Sequence, residues 1–207
     1  MTVRLVDGVR VVVATAATPL GTAALTPAEA ARLGQLTAPH RRQQWLMSRR
    51  AMREALEATG RSADTADYAF PHSRVSLSHS RRSAVAVAVD GEPDEVVGVG
   101  IDVEPVRFVR PGTMRFFLTE PEREWLAAVS DDRRAVEHIR LWTVKEALFK
   151  SDPGNAASRL IHYELDDPAA LAGRARRRDA GAIVFRYAST HHSDGLESIA
   201  LALRGEV

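Results

Sequence analysis

Residues 96–103 form an apolar run, VVGVGIDV, that leads into two carboxylates, Asp102 and Glu104. The turn-rich segment GEPDE (91–95) precedes it, so the run reads as a buried strand. Side chains two apart on a strand share a face, which points Asp102 and Glu104 the same way. Converging carboxylates repel unless a cation sits between them. An all-oxygen set suits Mg²⁺, which takes a few carboxylates and completes its octahedron with water and substrate phosphates. The plain alternative is a strand that exits into solvent with two charges.

A second segment, LWTVKEALFK (141–150), supplies a third carboxylate and two lysines. Glu146 and Lys150 are four apart and share one helix face. Trp142 lies one turn earlier on the same stripe, while Leu141, Leu148 and Phe149 can bury the other side. A Glu-to-Lys pair at this spacing is also a common surface feature, worth only a few tenths of a kcal/mol. Three carboxylates with lysines beside them are suited to chemistry on a phosphate ester or pyrophosphate.

The rest of the chain can build a packed core around these segments. Of 207 residues, 45% are hydrophobic and 27% charged, which fits one large domain or two small lobes. The net charge of +1 argues against a general nucleic-acid binder. The absence of cysteine excludes disulfides, thiolate catalysis and zinc–thiolate sites. No signal-peptide layout and no membrane span are read, so a cytoplasmic location is the default expectation.

Strands are expected over 9–14, 75–80, 84–89, 96–103, 161–165, 183–189 and 196–203. Capping boxes at Thr26–Glu29 and Thr119–Glu122 open two short helices. Longer helices are expected over 41–58 and 133–150, the latter stopped by Asp152-Pro153-Gly154. The arginine run 174–178 reads as a solvated loop. The turn-rich 91–95 marks a lobe boundary, with lobes over 1–95 and 96–207.

Phosphate-binding candidates lie in the first lobe. Ser76, Ser78, His79 and Ser80 cluster at a strand end, where hydroxyls and an imidazole can hold a phosphate. Arg41, Arg42, Arg49, Arg50 and Arg53 line one helix, and arginine forks suit phosphate oxygens. A solvated helix surface accounts for most of those five.

Taken in order, four motifs resemble those of the 4′-phosphopantetheinyl transferase superfamily. They are the helical arginine within MSRRAMREAL, the LSHS element, VGIDVE and WTVKEALFK. About 40 residues separate the two carboxylate segments. The length resembles the larger, two-lobed type represented by the enzyme that activates surfactin synthetase. The resemblance implies an α+β fold of two similar lobes, each a small antiparallel sheet packed with helices, in a monomer. It implies transfer of 4′-phosphopantetheine from coenzyme A to a serine of an apo acyl or peptidyl carrier protein, releasing adenosine 3′,5′-bisphosphate.

Carried over by position, the resemblance assigns Mg²⁺ to Asp102, Glu104 and Glu146. Lys145 and Lys150 would neutralise the pyrophosphate, with Glu146 as ligand or base and Lys150 stabilising the transition state. Ser78, His79, Arg49 and, more weakly, Arg42 would hold the 3′-phosphate. The family's Gly-Lys-Pro turn is missing, and Arg74, within the PHSR segment that replaces it, would stand in for its lysine. The strip 108–117 (FVRPGTMRFF) would dock the carrier. Two other readings use the same residues: a Mg²⁺-dependent phosphohydrolase, and a protein that binds coenzyme A or a carrier without transfer.

Overall fold

In a computed structural model the structure describes residues 1–80, 82–178, 182–193 and 195–205. The architecture is α+β, with two antiparallel sheets. β1 (Thr2–Val6) and β2 (Val9–Ala16) form a hairpin. The short α1 (Pro27–Gly34) and the long α2 (Pro39–Ala58) follow, then β3 (Val75–His79) and β4 (Ala84–Val89). The first sheet runs β1-β2-β4-β3. β5 (Val96–Glu104) opens the second half, followed by α3 (Glu120–Ala128), α4 (Asp131–Ser151), β6 (Tyr163–Leu165), β7 (Ala172–Arg177), β8 (Ile183–His192) and β9 (Gly195–Arg204). The second sheet runs β5-β9-β8-β7-β6.

The order of layers follows from side-chain alternation. β4 is buried throughout because its two faces carry different sizes. Val85, Val87 and Val89 meet Val99, Ile101, Ile199 and Leu201 in an apolar layer between the two sheets. Ala84, Ala86 and Ala88 face the other way, where small side chains let Met47, Ala51, Met52 and Ala55 of α2 pack close. β9 repeats the device: Ile199 and Leu201 enter the layer between the sheets, and Ala200 and Ala202 lie under α4. Each sheet therefore has a long helix outside and the other sheet inside.

The Thr26 box closes in both directions, and at Thr119 the Glu122 side chain accepts from the Thr119 amide (2.8 Å). Two elements differ from expectation. β1 is not among the expected strands; it is an edge strand whose Val3 and Leu5 are exposed while Val6 is buried. The arginine run 174–178 is not a loop, since most of it belongs to β7. Strand period 2 resolves it: Ala175 is buried, Arg174 and Arg176 are exposed, and alternation hidden by like charges gives no apolar signal. The expected strand 161–165 shortens to β6, because Leu160–His162 forms a 3-10 turn.

β5 and α4 touch at backbone distance. A Cβ on Gly98 would stand 1.8 Å from the Ser151 carbonyl oxygen, and one on Gly100 would stand 1.9 Å from that of Ala147. The two glycines thus let the helix lie directly on the strand. That contact brings the two halves of the carboxylate motif together.

Candidate active site

The site lies where β3, the edge of the first sheet, meets β5, the edge of the second. Ser76 Oγ accepts from the Ile101 amide (3.3 Å). Ser78 Oγ donates to Asp102 Oδ1 (2.8 Å). Lys150, from the last turn of α4, donates to the same Oδ1 (2.7 Å) and to the Ile101 carbonyl (3.1 Å). Asp102 is 5% exposed, and its other oxygen, Oδ2, is buried with no hydrogen-bond partner. A carboxylate oxygen in that position is an open acceptor for a cation.

Glu104 and Glu146 complete the acidic group. Burial raises the Glu104 carboxyl above the ordinary range, Asp102 raises it further, and Arg107 and Trp142 oppose the rise. Burial also raises Glu146, with Asp102 and Glu104 adding to it and Lys150 opposing. The three carboxylates therefore feel one another's charge. Among the described residues, no three Asp, Glu, His or Cys side chains stand close enough to form a finished metal cage. Mg²⁺ does not need such a cage, because it binds through one or two carboxylates plus water and substrate phosphates. The unpaired Asp102 Oδ2 and the all-oxygen donors fit that ion.

Beside this group a groove of ≈ 890 Å³ runs along α2, lined by Arg41, Gln44, Trp45, Arg49, Leu77 and His79. A smaller cavity of ≈ 360 Å³ lies on the far side of Leu77, between Phe70, Pro71, Ser76, Asn155 and Lys150. Leu77 lines both, so the groove that holds Arg49 and His79 and the cavity that holds Lys150 are neighbours. Arg49 packs over the Trp45 ring at 5.1 Å and donates weakly to Thr65 (3.4 Å). Burial holds its pKa below the ordinary arginine value, against the pull of Glu29, and its Nε has no partner. His79 is exposed at the groove.

Several expected site residues stand elsewhere. Ser78 and His79 were grouped as one phosphate cluster, but strand alternation sends them to opposite faces. Ser78 turns to Asp102 and only His79 enters the groove. Arg42 donates to the Leu33 and Leu36 carbonyls (2.8 and 3.1 Å), closing the C-terminal end of α1. Arg74 donates to Glu92 (2.8 Å) and to the Val96 carbonyl (2.9 Å), tying the two halves together. Lys145 is fully buried on Glu122 Oε1 (2.7 Å), so its ammonium cannot reach a ligand in the cleft. The strip 108–117 divides: Phe108 and Phe116 are exposed, whereas Phe117 is core. Two residues at the site were not anticipated. Arg107 pairs with Glu104 at 3.6 Å, a contact its i,i+3 spacing could have suggested. Asn155 was hidden in a turn.

The 4′-phosphopantetheinyl transferase superfamily model matches residues 98–203, more than half of the chain, and the chain belongs to that superfamily. The match covers both carboxylate segments. Among solved structures the chain is similar to Thermotoga maritima holo-[acyl-carrier-protein] synthase, with 21% identity and a TM-score of 0.43 over 54% of this chain and 65% of that one. It is also similar to a Bacillus anthracis holo-(acyl-carrier-protein) synthase in complex with CoA (3′,5′-ADP), with 20% identity and a TM-score of 0.43 over 54% of this chain and 99% of that one. The chain thus spans 65% of the length of the Thermotoga enzyme. No curated protein sequence is significantly similar to it.

Proposed function

We propose that this protein moves the 4′-phosphopantetheine group from coenzyme A to a serine hydroxyl of an apo carrier protein, as a two-lobed member of its superfamily. The observation that carries the reading is the Asp102 carboxylate. It is buried where the two sheets meet, it has one oxygen free, and its other oxygen is held by Lys150 and by Ser78, the strand neighbour of the groove-lining His79. Residues 1–95 supply the side that holds the nucleotide, and 96–207 supply the carboxylates and α4.

Coenzyme A would span the two neighbouring cavities, its 3′-phosphate on Arg49 and His79 and its pyrophosphate toward Lys150. Asp102 would hold Mg²⁺ through its free oxygen, with Glu104 and Glu146 acting directly or through bound water, and the ion when bound withdraws charge from the pyrophosphate oxygens. The serine oxygen bonds to the pantetheine-bearing phosphorus, and the bond from that phosphorus to the bridging oxygen breaks. Adenosine 3′,5′-bisphosphate leaves. Glu146 takes the serine proton, a role that suits a carboxyl raised by burial and like charge. Lys150 faces the charge that builds on the leaving group. The exposed Phe108 and Phe116, with Arg115 stacked over Phe116 at 4.8 Å, offer an apolar and cationic surface to an acidic carrier.

The test is to incubate the protein with coenzyme A, Mg²⁺ and a panel of apo acyl and peptidyl carriers, and to weigh the carriers intact. A phosphopantetheine adduct is expected on at least one. No adduct on any of them, or phosphate release from a simple ester without a carrier, would sink the reading. His79→Ala should raise KM for coenzyme A roughly tenfold or more, the worth of a hydrogen bond to a charged group, with little change in kcat. A pure rate loss at unchanged KM would contradict the phosphate contact.

A further inference from the structure

The side of α4 turned away from the carboxylates carries buried polar groups that the proposed reaction does not use. Arg140, Lys145 and Asp152 are each fully buried. Arg140 donates to the carbonyls of Ala170 (2.9 Å) and Pro168 and pairs with Glu137 (2.6 Å). Lys145 donates to Glu122 Oε1 (2.7 Å) and to the Tyr163 carbonyl. Asp152, just past the helix, accepts from the Tyr163 hydroxyl (2.7 Å). Tyr163 is therefore held at its main chain by Lys145 and at its phenol by Asp152. Glu122 closes the arrangement: Oε1 also accepts from the Leu165 amide (3.0 Å) and Oε2 from the Thr119 amide (2.8 Å). One buried carboxylate ties together the start of α3, strand β6 and the middle of α4.

Apolar side chains could fill this space at least as stably as an ion pair; what a buried pair can add is one defined geometry. The opposite side of α4 needs such a constraint. There the helix backbone meets β5 at Gly98 and Gly100, which have no side chains to set its rotation. Its placement rests on its apolar face, the Thr143–Ser198 hydroxyl pair (2.8 Å) and the buried ion pair. Glu146 is the residue after Lys145, and Lys150 meets Asp102 little more than a turn later. A reactive arrangement tolerates displacements of only about 0.5 Å or 10–20°, so a small roll or slide of α4 would separate these groups from Asp102 and Glu104.

We propose that the buried Lys145–Glu122 pair is a positioning device: it sets the rotation and register of α4 so that Glu146 and Lys150 face Asp102, and Lys145 itself never touches coenzyme A. The activity arm of its test rests on the transferase reading; the metal-binding arm does not.

The variants are Lys145→Met, Glu122→Gln and the double Glu122→Leu/Lys145→Met. Each is measured for kcat on a carrier, for Mn²⁺ affinity by electron paramagnetic resonance, for metal-free coenzyme A affinity by calorimetry, and for thermal stability. Each single variant should lose about 10–100-fold in kcat and in Mn²⁺ affinity, as is typical of groups that orient metal ligands, while metal-free coenzyme A affinity moves less than about threefold. The two losses in kcat should be far from additive, because the groups act as one unit. The double variant should be more stable than Lys145→Met, having no unpaired buried charge. It should stay below wild type, because the Thr119 and Leu165 amides and the Tyr163 carbonyl lose their partners, and it should keep the deficit in kcat and Mn²⁺ affinity. That separation tells positioning from mere folding.

Two outcomes overturn the proposal. In one, Lys145→Met weakens coenzyme A binding tenfold or more while Glu122→Gln is near wild type, which would mean direct contact with the pyrophosphate. In the other, the double variant has wild-type Mn²⁺ affinity, which would make the pair a filler. If the wild-type protein modifies no carrier, the transferase reading fails, and the Mn²⁺ measurements still decide the role of the pair.

Discussion

Glu146→Gln should cut carrier modification by roughly 10²–10⁴-fold, the loss expected when a positioned base is removed, while leaving the fold intact. Glutamine keeps the size of the side chain but can neither take a proton nor neutralise a cation. Glu146 faces Asp102 and Glu104 across the α4–β5 contact, so the substitution also relieves like-charge repulsion. The variant should therefore melt no lower than wild type in the absence of metal. Retention of more than half the activity would remove Glu146 from the site.

The same carboxylates set a pH dependence. Glu104 and Glu146 are both held above the ordinary value of 4.5 by burial and by neighbouring acids. The folded state thus keeps their protons at pH values where the unfolded chain has lost them. For a raised carboxyl, the contribution to stability is fully present below 4.5 and is lost as pH rises through the folded-state value. Protons and a divalent cation compete for these oxygens. Added Mg²⁺ with coenzyme A should therefore raise the melting temperature more as pH increases, and the acid limb of activity should move to lower pH as Mg²⁺ is raised. A thermal shift independent of pH between 4.5 and neutrality would refute the coupling.

Gly100→Ala should be among the most damaging single-methyl changes at the described residues. The added Cβ would stand 1.9 Å from the Ala147 carbonyl oxygen and 2.7 Å from the Ser151 nitrogen. Both are backbone atoms of α4, so no side chain can swing aside. The helix must lift from β5, opening the apolar contact beneath it and parting Lys150 from Asp102. A cost of about 3–5 kcal/mol is expected, above ordinary overpacking because the clash is with backbone. For a chain of this size that amounts to a melting temperature lower by roughly 10 °C, read by thermal denaturation, with loss of carrier modification. A change under about 2 °C would mean that α4 and β5 are less tightly apposed than described.

How much of this was legible beforehand differs from residue to residue. The helix starts at Thr26 and Thr119, the two long helices and the buried β5 strand were readable, because local backbone chemistry and periodicity specify them. Asp102 and Glu104 could be placed on one face by strand period, and Glu146 with Lys150 by helix period. β7 was not readable, since its alternation is carried by arginines rather than by apolar residues. The partners of Arg42, Arg74 and Lys145 were unreadable for a different reason. A cation in a sequence is equally suited to a substrate phosphate, a backbone carbonyl or a carboxylate. Arg42 found the Leu33 carbonyl, Arg74 found Glu92 and Lys145 found Glu122.

The sequence by itself determined the acidic pair on β5, the Glu146–Lys150 stripe on α4 and the order of motifs that marks the superfamily, because each rests on contacts within a few residues along the chain. Only the tertiary structure decided which charges face the cleft. It turned Ser78 to Asp102 and His79 to the groove, left Asp102 Oδ2 open, and buried Lys145 behind the helix. Those outcomes depend on pairings across 24 and 23 positions of sequence for Ser78–Asp102 and Glu122–Lys145. No local pattern encodes such pairings, because they arise only once the sheets close on their common apolar layer and α4 settles on Gly98 and Gly100.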